Sequence, residues 1–271
     1  FNGIFLEGVF IMFDVEVRRL RELRPLIHCV ANPVSLNDCA NLLLACGASP
    51  VMAGCPQESA EITAASQALV LDLGMLNPQR FEAMTISLRA ASERKIPVVL
   101  DPAGADISSY RRKCVEELLR LGGISVIRGN PSEIMSLCGM ETSAKGEEVF
   151  NAAHNLSNTT GAIVEITGEA DIITDGLRRV CVKGGHIAMI RIMGVGCMLS
   201  SLTGAFLAVK PEHPLEAATM ASALMKRFGE AAALNMECLS TGYHSMRSYL
   251  IDVAGKIDFL ALQGGFHIED R

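Results

Sequence analysis

The chain has 271 residues, of which 49% are hydrophobic and 5% aromatic, and its formal net charge is −6. This length and hydrophobic content suffice for one large folded domain and exclude an intrinsically disordered chain. The acidic balance gives no basic surface, so we expect no nucleic-acid partner. No apolar run reaches the roughly 18 residues of a membrane span, so we expect no association with a membrane.

Nine cysteines are present, and their spacing gives neither a Cys-x-x-Cys pair nor a zinc-ligand pattern. An odd number of dispersed cysteines favours free thiols in a reducing compartment, so we expect a cytoplasmic protein. The first twelve residues are apolar, but they are too short to span a membrane and lack a basic leader. We interpret residues 1–12 as an N-terminal tail and residues 13–271 as a single domain.

Short apolar runs alternate with helix-forming segments along most of the chain. The predicted strands are Leu26–Val30, Pro50–Ala53, Leu69–Leu73, Val98–Leu100, Ser125–Ile127, Ile163–Ile166, Ile172–Thr174 and Val180–Val182. The predicted helices are Val15–Leu23, Leu36–Cys46, Gln57–Ser66, Pro78–Arg94, Ser108–Leu121, Ser132–Cys138, Glu147–Thr159, Gly196–Val209, Pro214–Leu234 and Ser240–Ala254. Asp175-Gly176 predicts a hairpin turn. This order predicts an α/β fold, a three-layer αβα sandwich around a mainly parallel sheet.

In such a sheet, ligands bind beyond the carboxyl ends of the strands. Polar or conformationally special residues stand at nearly every predicted strand end. They are Asn32, Met52, Gly74, Asp101, Arg128, Gly129, Asn130, Thr167, Gly168 and Glu169. Because these ends meet at one edge of the sheet, their agreement is stronger evidence for a site than any single motif.

Two of these strand ends carry acidic groups suited to phosphate chemistry. Asp101 follows a buried run, where a carboxylate suits a metal-bound water or a general base, although Asp-Pro also begins turns. Glu133 follows Asn130 by three residues, the spacing of an ordinary capping box. A cap does not explain the arginine at position 128. Arg128 and a magnesium ion on Glu133 are therefore candidates to share a triphosphate.

The run Gly194-Val195-Gly196-Cys197 opens directly onto an apolar helix. The N–H groups of such a helix start, together with the helix dipole, suit a phosphate or an oxyanion. Cys197 is either a small buried thiol or a reactive one whose pKa the helix N-terminus lowers. The turn alone is a weak signal, because Gly-x-Gly also serves packing. His28 and His186 lack ligand spacing and are interpreted as structural.

The chain resembles the hydroxyethylthiazole kinase family of the ribokinase-like superfamily. The resemblance runs from about Pro25 to Ala232, and its motifs occur in order along the chain. The motifs are Pro25–Asn32, Asn41–Ala53, Pro97–Ala105, Ile127–Ile134, Thr167–Asp171 and Gly194–Leu199. Several motifs of this length in one order are highly specific.

The resemblance implies a homotrimer that uses ATP and Mg²⁺ to phosphorylate the hydroxyl of 4-methyl-5-(2-hydroxyethyl)thiazole in thiamine salvage. It places the thiazole site at a subunit interface. The residues implied to hold the thiazole are Asn32, Met52 and Gly194. Those implied at the ATP phosphates are Arg128, Thr167 and Gly168, and those implied at magnesium are Asp101 and Glu133. Cys197 stands where related kinases have a catalytic aspartate, and Gly194 and Gly196 supply the anion-binding turn.

The chain departs from the family at two places. Met193 stands where the family usually has threonine, which removes a hydroxyl beside the anion site. The segment Asn32–Asp38 is also less apolar than is usual there. Two other functions stay open: a kinase of this fold for another small alcohol, such as a hydroxymethylpyrimidine or a sugar, and a catalytically weak paralogue that binds thiazole or nucleotide.

Overall fold

The computed structural model describes the backbone of residues 2–141, 146–258 and 266–270, and within these ranges the side chains from Phe13 onward. The described helices are α1 Asn2–Leu23, α2 Leu36–Cys46, α3 Pro56–Ala65, α4 Pro78–Arg94, α5 Ser109–Leu121, α6 Pro131–Leu137, α7 Glu147–Thr160, α8 Val195–Val209, α9 Pro214–Cys238 and α10 Tyr243–Ala254. The described strands are β1 Leu26–Val30, β2 Ser49–Met52, β3 Ala68–Asp72, β4 Val98–Asp101, β5 Val126–Gly129, β6 Ile163–Ile166, β7 Ala170–Thr174, β8 Arg179–Lys183 and β9 His267–Asp270. A 3₁₀ helix, Ile187–Arg191, precedes α8.

The described strands form one sheet in the order β2-β1-β3-β4-β5-β6-β7-β8-β9. Pairing is parallel from β2 to β6 and antiparallel from β6 to β9. One face of the sheet packs in an apolar cluster with α1, α2, α8, α9 and α10. The other face packs with α4, α5, α6 and α7. The predicted three-layer αβα sandwich is therefore confirmed.

The central strands β3 to β6 are buried along their whole length. Their nearly continuous Val, Leu and Ile runs are typical of parallel strands covered by helices on both faces. The eight predicted strands are all present; two of them have the predicted bounds, and the ends of the other six are shifted by one or two residues. The most consequential shift is in β5, which continues to Gly129, so that Arg128 lies within the strand and not after it.

The ends of the chain differ most from the prediction. Helix α1 begins at Asn2, not at Val15, so the predicted tail has a helical backbone; its separation from the domain stays a prediction. Strand β9 was not predicted, because its sequence His-Ile-Glu-Asp contains no apolar run. Helix α10 begins after the predicted Ser240, whose φ of +50° interrupts helical geometry. No helix within the described ranges is long and apolar enough to cross a membrane.

His28 lies fully buried in β1, and its ring nitrogens contact the Thr63 hydroxyl at 2.8 Å and the Ala53 carbonyl at 3.1 Å. Burial lowers the pKa of His28 to about 4, against a smaller raising effect of the Ala53 carbonyl. The imidazole is therefore neutral near pH 7 and joins β1 to α3. This supports the structural interpretation of this residue.

Candidate active site

Four ionisable side chains form a row across neighbouring strands, under helix α8. The row consists of Asp72 on β3, Asp101 on β4, Arg128 on β5 and Glu165 on β6. Asp72 pairs in register with Asp101, and Arg128 pairs in register with Glu165. All four residues are buried. Charged side chains are seldom buried unless they are paired, and clusters of buried ionisable groups are typical of functional sites. This charged row is therefore the strongest candidate for a functional centre.

The centre of the row is an ion pair. The Arg128 guanidinium donates from Nη1 to Asp101 Oδ2 at 3.1 Å and from Nη2 to Thr167 Oγ1 at 2.9 Å. The Ser200 hydroxyl, from α8, donates to the same Asp101 oxygen at 2.8 Å. Burial lowers the pKa of Arg128, but the carboxylates of Asp101 and Glu165 raise it by more. The guanidinium therefore stays charged. Its orientation is fixed by Asp101 and Thr167, and Asp101 is held in turn by Ser200 of α8.

Close packing requires glycine at both glycine positions of the Gly-x-Gly turn. Gly194, the residue before α8, has a φ of +90°, and a Cβ there would lie 2.8 Å from Ser35 Cβ. A Cβ on Gly196 would lie 2.6 Å from Arg128 Nη1. The second glycine thus lets the Arg128 guanidinium lie against the first turn of α8. The Gly-x-Gly turn and the charged row are therefore in direct contact, through Gly196 and Arg128.

Cys197 lies at the same helix start, and its sulfur and the carboxylate oxygens of Asp72 and Asp101 all lie within 4.8 Å of one another. Burial raises the pKa of the Cys197 thiol, and the negative charges of Asp72 and Asp101 raise it further. Of the two interpretations of Cys197, these effects favour the small buried thiol over a reactive one with a lowered pKa. The thiol is therefore protonated near neutral pH.

Like Glu165, Asp72 is a residue of the charged row that sequence reasoning missed. Its Oδ1 accepts the Gly74 N–H at 2.8 Å and its Oδ2 accepts the Asn32 N–H at 3.3 Å. Burial and the neighbouring Asp101 raise the pKa of Asp72 to about 6, although the hydrogen bonds from Gly74, Cys197 and Asn32 lower it. A signal was present in the sequence: β3 and β4 both end in an apolar run closed by aspartate. Only the second aspartate was considered, because the first lay inside a predicted strand.

Glu133 makes the capping box that its spacing predicted. Its Oε2 accepts the Asn130 N–H at 2.8 Å, while Asn130 Oδ1 accepts the Glu133 N–H at 2.9 Å. Its Oε1 accepts the Gly104 N–H, from the loop after β4, at 3.0 Å. Burial and the charge of Asp101 raise the pKa of Glu133. The carboxylate therefore caps α6 and also belongs to the acidic group around Asp101.

A pocket of about 780 Å³ opens beside this centre. Its lining includes Arg128, Thr167, Gly168, Gly194 and Gly196, together with residues of the 3₁₀ helix and of α9. The three residues predicted at the ATP phosphates thus line one pocket, and two of them, Arg128 and Thr167, are hydrogen-bonded to each other. The exposed side chain of Met193 also borders this pocket.

The residues predicted to hold the thiazole are not all at one place. Gly194 lines the pocket, whereas the described lining does not include Asn32 or Met52. The Asn32 N–H donates to Asp72, and a Cβ on Gly74 would lie 2.2 Å from Asn32 Nδ2, so the Asn32 side chain lies against the loop after β3. Met52 ends the edge strand β2, half-buried and two strands away from β3. The structure therefore brings Asn32 to the charged row and leaves Met52 at the edge of the sheet.

Comparison with known proteins identifies the family of this chain. A family model described as the hydroxyethylthiazole kinase family matches residues 17–258. The chain belongs to the hydroxyethylthiazole kinase family. It is 38% identical to a hydroxyethylthiazole kinase of Methanoculleus marisnigri over 93% of this chain and 91% of that one. It is 40% identical to one of Leptothrix cholodnii, covering 88% of each chain.

A solved hydroxyethylthiazole kinase protein from Pyrococcus horikoshii has a TM-score of 0.86 and 34% identity, covering 96% of this chain and 99% of that one. A ribokinase-like superfamily protein from Enterococcus faecalis has a TM-score of 0.62 at 13% identity, which supports the ribokinase-like fold alone. The chain therefore covers nearly the whole length of the solved family member from Pyrococcus horikoshii.

Proposed function

We propose that the chain transfers the γ-phosphoryl group of ATP to the hydroxyl of 4-methyl-5-(2-hydroxyethyl)thiazole, a step of thiamine biosynthesis or salvage. Membership of the hydroxyethylthiazole kinase family supports this substrate. The observation that carries the proposal is the Asp101–Arg128–Thr167 cluster, which lies at the start of α8 and opens onto the pocket. Positively charged and backbone donors at that point suit a transferring phosphoryl group.

We assign the pocket to ATP, with Arg128, Thr167 and Gly168 at its phosphates. The Arg128 guanidinium is charged and oriented before the ligand arrives, so little reorganisation is needed on binding. The first N–H groups of α8, from Val195 to Cys197, have no acceptor within the helix. They would stabilise the oxygens of the phosphoryl group as it moves, which is the role proposed for the Gly194–Gly196 turn.

Asp101 and Glu133 are the residues that would hold Mg²⁺. Carboxylate oxygens are the ligands that magnesium prefers. Burial raises the pKa of Glu133 and the charge of Asp101 raises it further, and a bound cation would offset the effect of that charge. Bound magnesium would neutralise charge on the ATP phosphates and orient them. Each carboxylate already accepts hydrogen bonds from the protein, so its position does not depend on the metal.

We assign the thiazole alcohol to Asn32, Met52, Gly194 and Cys197. The protonated Cys197 thiol acts as a hydrogen-bond donor and not as a base. The alcohol oxygen attacks the γ-phosphorus, the bond to the departing ADP oxygen breaks, and the alcohol proton passes to the Asp72 carboxylate beside the thiol. A weak base is sufficient, because the transition state of phosphoryl transfer is loose.

We also propose a cytoplasmic homotrimer in which a second subunit covers the thiazole site. Val34 and Met75, which flank Asn32 and Gly74, are more than half exposed. Exposed apolar side chains beside a substrate site favour a covering partner. Light scattering after size-exclusion chromatography tests the trimer directly.

The deciding experiment measures ADP release from ATP with and without the thiazole alcohol. Thiazole-dependent ADP release, with the phosphorus on the thiazole hydroxyl by ³¹P NMR, supports the proposal. Release that depends instead on a hydroxymethylpyrimidine or a sugar indicates a kinase of another small alcohol. Thiazole binding by calorimetry without ADP release indicates a binding paralogue and refutes the kinase.

A further inference from the structure

One face of helix α9 holds two loops of the pocket in place. Ser222, Lys226 and Glu230 are four residues apart, so their side chains lie on one side of the helix. Lys226 contacts the turn between β6 and β7. Glu230 Oε1 accepts the Gly185 N–H, in the loop after β8, at 2.9 Å. Both loops line the pocket.

Lys226 makes the most contacts of the three. Its Nζ donates to the carbonyls of Gly168 at 2.7 Å and Glu169 at 3.1 Å, and it lies 3.0 Å from Asp171 Oδ1. Its side chain is 9% exposed. These three oxygens match the three donors of an ammonium group. Lys226 therefore ties the β6–β7 turn to α9.

Asp171, the second residue of β7, completes the network. Its Oδ1 accepts the Gly168 N–H at 2.8 Å and its Oδ2 accepts the Ser222 hydroxyl at 2.6 Å. The N–H of Gly168 is therefore bound by Asp171 and its carbonyl by Lys226. The preceding residue, Thr167, accepts the hydrogen bond of Arg128. The orientation of the phosphate-side wall therefore depends on the contact of Lys226 with the turn.

We propose that Lys226 is a positioning residue for the nucleotide, which holds the Thr167–Gly168 turn in its binding geometry. This inference rests on the proposed assignment of the pocket to ATP. The charge of Lys226 is neutralised by Asp171, so its effect on the nucleotide is geometric and not a direct attraction to phosphate. Glu230 supports the opposite loop in the same way, at Gly185.

The test compares Lys226→Met with a matched control, Lys210→Met. Lys210 also forms a largely buried ion pair, with Glu16 at 3.1 Å, but it lies at the far end of α8. For Lys226→Met we expect ADP to bind about tenfold more weakly by calorimetry with magnesium present, a change of about 1.4 kcal/mol. The KM for ATP should rise with it, while kcat and the KM for the thiazole alcohol change little. Lys226→Arg, which keeps the charge and the donors, should restore most of the binding.

Glu230→Ala provides a second test, because this side chain is about one-third exposed and its loss leaves the core intact. We expect weaker ADP binding here also, with unchanged thermal stability. The inference is overturned if Lys226→Met binds ADP like the wild type, or loses no more affinity than Lys210→Met. It is also overturned if Lys226→Met does not fold and Glu230→Ala binds ADP normally, or if the wild type binds no ADP. Normal ADP binding without thiazole phosphorylation refutes the proposed function but leaves the role of Lys226 supported.

Discussion

Gly196 lies against the Arg128 guanidinium, so one added methyl group tests the charged centre. A Cβ at this position would lie 2.6 Å from Nη1, 2.9 Å from Nη2 and 3.1 Å from Cζ of Arg128. Normal van der Waals contact between the added Cβ and the guanidinium atoms begins at about 3.5 Å, so the guanidinium must move by about 1 Å. The bonds to Asp101 and Thr167 are 3.1 and 2.9 Å long. Such a shift takes at least one of them beyond hydrogen-bonding distance.

We expect kcat/KM of Gly196→Ala to fall about 100-fold, because a 1 Å displacement of a positioned group has about that effect. This corresponds to about 2.7 kcal/mol of transition-state stabilisation. The free energy of unfolding should change less. Alanine stabilises a helix by up to about 1 kcal/mol relative to glycine. This gain offsets part of the roughly 1.5–3 kcal/mol that is lost when a charged hydrogen bond breaks.

Steady-state ADP release and urea unfolding measure the two quantities separately. Gly204→Ala is the matched control, since it lies in the same helix and its Cβ would lie 2.7 Å from Val70 Cγ2, in the core. Overpacking there should cost about 1–3 kcal/mol of stability and leave kcat/KM of the folded enzyme close to normal. A Gly196→Ala enzyme with wild-type kcat/KM would refute the role assigned to the Arg128 orientation.

Three further substitutions test the charged row. Cys197→Ser should keep kcat/KM within about tenfold of the wild type, since a hydroxyl replaces a protonated thiol as donor. Asp72→Asn should lose more activity than Cys197→Ser, yet unfold at higher urea above pH 6. Its carboxyl, with a pKa raised from 3.8 to about 6, costs the folded state stability as it ionises. Burial raises the pKa of Glu165 from 4.5 to about 8, so the wild type should lose stability as the pH rises through this range, by at most about 1.4 kcal/mol per pH unit. Glu165→Gln should not show this loss.

Each of these results has a contrary outcome. Inactivity of a folded Cys197→Ser enzyme would mean that the sulfur itself takes the proton. Full activity of Asp72→Asn removes Asp72 as the proton acceptor. Identical pH dependence of urea unfolding in Glu165→Gln and the wild type would show that Glu165 is ionised in the folded protein at neutral pH.

The strands and their mainly parallel arrangement were predictable because they depend on local pattern, and the same pattern pointed to several residues of the candidate site. An apolar run closed by a polar residue predicts a buried strand and its functional end together, and this located Asp101 and Arg128. Glu133 was located by its three-residue spacing from Asn130, which the structure uses as a capping box. The pKa of Cys197 could not be predicted, since it depends on two carboxylates from β3 and β4 that come close only in the folded sheet.

The sequence by itself determined the αβα architecture and, through its motifs, the family, because periodicity and motifs are properties of consecutive residues. Only the tertiary structure decided that Asp72 joins the row, that the Cys197 thiol is protonated, and that α9 supports the pocket. Lys226 and Gly168 are 58 residues apart in the chain and 2.7 Å apart at Nζ and the carbonyl oxygen. Contacts of this kind arise from how helices pack on the sheet, which the local pattern of a single sequence does not contain.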